Sequence, residues 1–133
     1  MAAKNIDEWL VSRLDTVPEL RGRVYPTAAP VGGLESPFGI YRLQKLDINR
    51  DLDGSPGIRT ATFRVELFHE DNDALCALTA DCEKVLREAM GEDAGALYIY
   101  SSSADRAEED DLDMVLDKFV KAITVITRFW EDE

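Results

Sequence analysis

This chain of 133 residues holds one histidine and two cysteines, and it is short of cations: 15 Lys and Arg stand against 27 Asp and Glu, a formal net of −12. Each shortage closes a route. A single imidazole, His69, leaves a thin catalytic vocabulary. No G-x-x-x-x-G-K-[ST] and no G-x-G-x-x-G occurs, so no phosphate cradle of the familiar kinds is encoded. The nucleophile elbow G-x-S-x-G is missing too. No run of 18 apolar residues can serve as a membrane helix, and no basic-then-apolar leader opens the sequence. These absences lead us to expect a protein made and kept in a cytosol, with no membrane partner. Cys76 and Cys82 fall in a stretch that reads as helix, where six residues rise about 9 Å and turn about 240°. Cysteines so placed do not meet the geometry of a disulfide, and two reduced, buried thiols are expected.

The acid is unevenly spread. Residues 1–65 carry nine Lys or Arg against eight Asp or Glu, whereas residues 66–133 carry six against nineteen. A protein that grips DNA displaces counterions with Lys and Arg, so this is not the profile of an ordinary DNA binder. High net charge also serves solubility.

Residues 49–60, NRDLDGSPGIRT, begin like a calcium-binding EF-hand loop, with Asn49, Asp51, Asp53 and Gly54 in frame. The closing position holds Thr60 where a bidentate Glu belongs, and the flanks are not helical. TATFRVELFH sets Ala61, Phe63, Val65, Leu67 and His69 on one face and Thr62, Arg64, Glu66 and Phe68 on the other, the period-2 pattern of a half-buried strand. PFGIYRLQKLDI before it reads as a second strand, with a bulge expected near Gly39 or apolar contact on both faces. The stretch between them is therefore a hairpin connection and no metal site is expected. It is longer than the roughly two to five residues a hairpin needs, which predicts an arm that is mobile or reaches for something.

The remaining elements follow from period and punctuation. NIDEWLVSRLD resembles a capping box and carries Ile6, Trp9, Leu10 and Leu14 at helical spacing, predicting a helix over about residues 6–15 that ends before Pro18. GRVYPTAAPVGGLESPFGIY reads as a loop with a two-residue β pattern at Val24-Tyr25. DNDALCALTADCEKVLREAMG is the clearest helix, with an apolar stripe of Leu75, Leu78, Cys82, Val85, Leu86 and Ala89, acids at its start and Gly91 as its C′ residue. GALYIYSSS predicts a short strand, and SADRAEEDDLD a solvated acidic loop. The β-branched run Ile123–Thr127 predicts a strand over about residues 118–130. The sum is one α+β domain, residues 1–133, with a largely antiparallel, possibly mixed, sheet of four to five strands, a long hairpin and two packed helices.

Ser101, Ser102 and Ser103 do not make a triad with His69 by residue type alone. Glu108, Glu109, Asp110 and Asp111 have the donors for a cation, yet adjacent carboxylates in a loop are usually solvated. No catalytic residue, cofactor or metal ligand is assigned.

GRVYP at 22–26, Ala29-Pro30, SPFGIY at 36–41, DLDGSPGIRT, TATFRVELF and the amphipathic helix after it, taken in this order, resemble the tail-completion or tail-terminator proteins of long-tailed bacteriophages. The resemblance spans about residues 6–130, and the acidic stretch 105–117 departs from it. It implies a virion tail protein, assembled in the bacterial host cytoplasm, that forms a homo-oligomeric ring, typically of six copies, at the head-proximal end of the tail tube. The ring stops tube growth and docks to the head connector. Its expected partners are further copies, the tail tube protein and the head connector protein. The arm Asp51, Leu52, Asp53, Gly54, Ser55, Pro56, Gly57 and Ile58 is then expected at a subunit or tube interface. Glu108, Glu109, Asp110 and Asp111 are expected on an acidic surface or channel that lets DNA pass without specific binding. The alternatives are a head-tail connector, or neck, subunit, and a small cytosolic domain that grips a ligand or peptide on its sheet. An enzyme built around His69 is the more distant one.

Overall fold

A computed structural model describes residues 5–27, 37–50, 56–89, 91–93, 97–113 and 118–131, with backbone alone at 49, 50, 56, 92, 93 and 107–113. Helix α1 (Ile6–Leu14) opens as a capping residue dictates: the Asn5 side chain accepts from the Glu8 N–H at 2.9 Å. A 3₁₀ turn at Pro18–Leu20 redirects the chain into β1 (Val24–Pro26). The long hairpin follows as β2 (Phe38–Arg50) and β3 (Pro56–His69). Helix α2 (Asn72–Arg87) is capped by Asp71, whose carboxylate accepts from the Asp73 N–H at 3.1 Å. The strands β4 (Glu92–Asp93), β5 (Leu97–Asp113) and β6 (Lys118–Glu131) complete the sheet.

The fold is α+β. The strands are ordered β1-β2-β3-β6-β5-β4; β1 runs parallel to β2 and every other pair is antiparallel. Counting the very short β1 and β4 gives six strands where four to five were expected. On β3 the predicted alternation holds: Ala61, Phe63, Val65 and Leu67 are buried with Ile123, Val125 and Phe129 of β6 against Trp9, Leu10 and Leu14 of α1 and Leu75, Cys82 and Leu86 of α2. Arg13 ties the helices together, its Nε donating to the Val85 carbonyl of α2 at 3.1 Å. That carbonyl lies in the last turn, where the helix dipole favours a cation.

Several expectations are corrected. Gly39 carries no bulge; the register breaks at Gln44, between the pairs Leu43–Phe63 and Lys45–Thr62. Gly39 is needed for closeness, since a Cβ there would sit 3.3 Å from Leu67 Cδ2. Helix α2 stops at Arg87 with Glu88 as C-cap, so Gly91, at φ 71°, turns the chain beyond the helix instead of capping it. The largest correction is the acidic stretch: it is the second half of the 17-residue β5, with Asp110 paired to Lys121 and Asp113 to Lys118 on β6. Asp and Glu have poor β propensity, but a strand as β-branched as β6 offers a full ladder of hydrogen bonds and overrides it.

The other face of the sheet has no helix layer among the described residues. At one end Phe38, Ile40 and Phe68 form a second small cluster, the rings of Phe38 and Phe68 stacking at 4.8 Å.

Trp9 is buried in the main core, yet its indole N–H has no hydrogen-bond partner among the described residues. In urea unfolding, Trp9→Ala should lower stability by about 3–5 kcal/mol, while Trp9→Phe should keep most of the packing and lose far less. Equal losses would show that the indole nitrogen, not the ring, carries the contribution.

Candidate assembly surfaces

The side chains with chemical potential are scattered. His69 ends β3, and its Nδ1 accepts the Asp71 N–H at 2.9 Å, a local contact that shapes the turn into α2. It pairs with Phe119, whereas Ser101, Ser102 and Ser103 pair with Arg128, Thr127 and Ile126 on the same strand. At about 3.3 Å per residue the serines lie roughly 23 Å or more from His69 along β6, too far to share a proton. Ser102 instead shares a hydrogen bond with Thr127 at 3.3 Å. Among the described residues no three His, Cys, Asp or Glu gather as a metal site.

Of the expected arm, residues 51–55 lie outside the described residues, while Pro56, Gly57 and Ile58 open β3, with Pro56 paired to Arg50. Five residues lie between the last residue of β2 and the first of β3, within the length a hairpin needs. The strands run further than the sequence pattern indicated, and the argument from excess loop length falls. Glu108 and Glu109 sit in the register shift between Arg106 and Asp110, and Asp110 and Asp111 are paired with Lys121 and Val120.

On the helix side, Glu83 is nearly buried on α2 and is held by two guanidinium groups, Arg106 Nε at 2.6 Å and Arg87 at 3.3 Å. Arg87 also reaches Asp105 at 3.3 Å. A buried carboxylate is tolerated when paired this fully. Along the line where α2 meets β5 lies an open groove of about 570 Å³ lined by Ala80, Lys84, Arg87 and Arg106. Arg87 and Arg106 are engaged with carboxylates, and among the described residues no serine, threonine or cysteine lines the groove.

Among the described residues, the β2 edge and one face of the sheet are left without a covering element. The β1–β2 pairing is short: Gly39 donates to the Arg23 carbonyl at 2.9 Å, and the Tyr41 carbonyl accepts from both the N–H and the hydroxyl of Thr27. Beyond Tyr41 no described strand meets the outer side of β2, and the seven residues 42–48 are all exposed. They include Leu43, Leu46 and Ile48, 38%, 42% and 45% exposed, on the same side of the sheet as the helices. The uncovered face carries the cross-strand pair Arg42–Arg64, then Lys45, Thr60, Thr62, Thr124, Ile126 and Arg128, and at its end Trp130 and Tyr98. Tyr98 and Tyr100 meet edge to face at 4.9 Å. The sequence reading missed the β2 edge; its one signal was the spacing of Leu43, Leu46 and Ile48, which breaks strict alternation at the bulge.

No protein-family model matches the chain, and no curated protein sequence matches it.

Burial pushes the Cys82 thiol up to about 12, and the charges of Asp81, Glu19 and Glu83 add to this. A thiol whose folded pKa exceeds its ordinary 9.0 adds stability below about pH 9 that is lost as pH rises toward 12. Wild type should therefore lose unfolding free energy faster than Cys82→Ala between pH 9 and 11, and Cys82 should resist iodoacetamide at pH 8 until denaturant is added. Parallel pH curves, or rapid native alkylation of Cys82, would contradict this burial.

Proposed function

We propose that this protein is a structural subunit that acts by self-association, in the setting its sequence resemblance implies: a ring at the head-proximal end of a long phage tail that ends tube growth and meets the head connector. The observation that carries the proposal is the edge of β2, where seven successive exposed residues, 42–48, include three large apolar side chains on a stretch of strand that no described strand meets from outside. Open, apolar strand edges invite pairing with another chain, and a protein kept as a monomer normally blunts them. Burial of such an edge in an assembly accounts for it directly. The scattered His69, serines and carboxylates offer no competing constellation among the described residues. The ring reading also suits the acid on β5, which would repel DNA passing nearby. A neck subunit would use the same surfaces and differs in which virion partner it contacts.

The test is a phage carrying a deletion of the coding sequence, viewed by electron microscopy. Full heads, and tails that are unjoined and irregular in length, are expected, and supplying the protein in trans should restore joined particles. Regular tails joined to heads in its absence would overturn the proposal. Joined failure with tails of regular length would favour the neck subunit.

A further inference from the structure

We infer that copies associate head to tail through opposite edges of the sheet, the β1/β2 edge of one copy docking on the β5/β4 edge of the next; this rests on the reading that the chain works by self-association.

The first support is the outline of the two edges. Arg42 is level with Asp105 across the sheet, through the pairs Arg42–Arg64, Arg64–Thr124 and Thr124–Asp105. The same pairings place β1, which covers only residues 39–41 of β2, level with Arg106–Asp110 of β5, where no described strand lies outside. At the other end β4 covers only Tyr98 and Ile99 of β5 and is level with Ile48 of β2, which is bare in turn. Each edge thus has a step where the other has a recess. Two copies side by side with no shift along the strands bring β1 of one into the recess beside β5 of the other, and β4 into the recess beside β2. The outer sides of β1 and β4, which meet no described strand within one copy, then gain backbone partners on β5 and β2 of the neighbour.

Charge selects the same pairing. Beyond Tyr41, residues 42–50 of β2 carry Arg42, Lys45 and Arg50 against Asp47. The opposite edge carries Glu92 and Asp93 on β4, and Asp105, Glu108, Glu109, Asp110, Asp111 and Asp113 against Arg106 on β5. A two-fold contact between like edges sets cations against cations or acids against acids, which is unfavourable. Only the pairing of unlike edges is complementary, and such a heterologous contact generates rings when its rotation closes. Lys45 and the bulge at Gln44 are devices that discourage indiscriminate edge pairing; against an acidic edge the lysine becomes an attraction. The apolar contact agrees as well. Leu43, Leu46 and Ile48 lie on the helix side of the basic edge, and the groove between α2 and β5 lies on the helix side of the acidic one. The aliphatic stems of Lys84 and Arg87 in that groove suit such neighbours.

The experiment is a charge swap on the purified full chain, read by analytical ultracentrifugation over a range of protein concentration. Variant one is Arg42→Glu with Lys45→Glu; variant two is Asp105→Lys with Glu108→Lys, Glu109→Lys and Asp110→Lys, which leaves four acids against five cations on that edge. Wild type should oligomerise and each variant alone should remain monomeric, because one has two acidic edges and the other two basic ones. An equimolar mixture should regain oligomers containing both chains. Monomeric wild type, assembly of either variant alone, or a mixture that stays monomeric would overturn the inference. Should a reversed variant fail to fold by circular dichroism, Arg42→Gln with Lys45→Gln serves in its place. Assembly weakened relative to wild type supports the contact, and unchanged assembly refutes it. The two proposals fail separately. Charge-dependent oligomers from a protein that tails do not need would sink only the tail function, and tails that need the protein but oligomers indifferent to both swaps would sink only the edge contact.

Discussion

The structure depends on burying one face of a sheet whose strands are longer than the helices that cover it. Ala61, Phe63, Val65 and Leu67 on β3 form the middle of that face, flanked by β6 on one side and β2 on the other. A 13-residue β2 extends roughly 43 Å at about 3.3 Å per residue. The nine residues of α1 span about 13 Å and the sixteen of α2 about 24 Å, at about 1.5 Å per residue. Helices of these lengths protect the centre of the sheet and leave its margin bare. Leu43, Leu46 and Ile48 fall on that margin, so their exposure follows from the dimensions of the layers.

Electrostatics act on the same frame. Six of the nineteen acids in the second half of the chain lie on β5, at the opposite margin from Arg42 and Lys45. Close to the core, charges are paired: Glu83 takes two guanidinium groups, and Arg59 near the end of β3 bonds Glu131 of β6. At the margins the pairs are more exposed, Lys45 with Asp47 at 3.5 Å on β2 and Arg87 with Asp105 at 3.3 Å beside β5. A sheet with eight acids against one cation on the strands of one edge, and three cations against one acid over residues 42–50 at the other, has a polarity from edge to edge. Polarity of that kind favours directional association over two-fold dimers.

Much of the fold was legible beforehand because the signals were local. Helix α1 and its Asn5 cap, the stripe of α2, the hairpin and the span of β6 all follow from spacing and punctuation within single segments. The expected burial of Val85 was only partly realised, and Glu83 is buried in its stead. A glutamate at that position reads as solvated, because its partner Arg106 lies 23 residues away on another element.

Sequence alone determined which segments have an apolar side, since periodicity needs only the residue types and the geometry of helix or strand. It also determined the unequal division of charge. Tertiary structure alone decided that SADRAEEDDLD becomes a strand, because the ladder that stabilises it belongs to β6, more than ten residues distant for most pairs. It alone decided that β1 runs parallel to β2 and pairs with three of its residues, with the Tyr41 carbonyl taken by Thr27 and no described strand outside β2 from Arg42 onward. Which margin stays uncovered is a question of how layers of different length overlap, and no single segment carries that information.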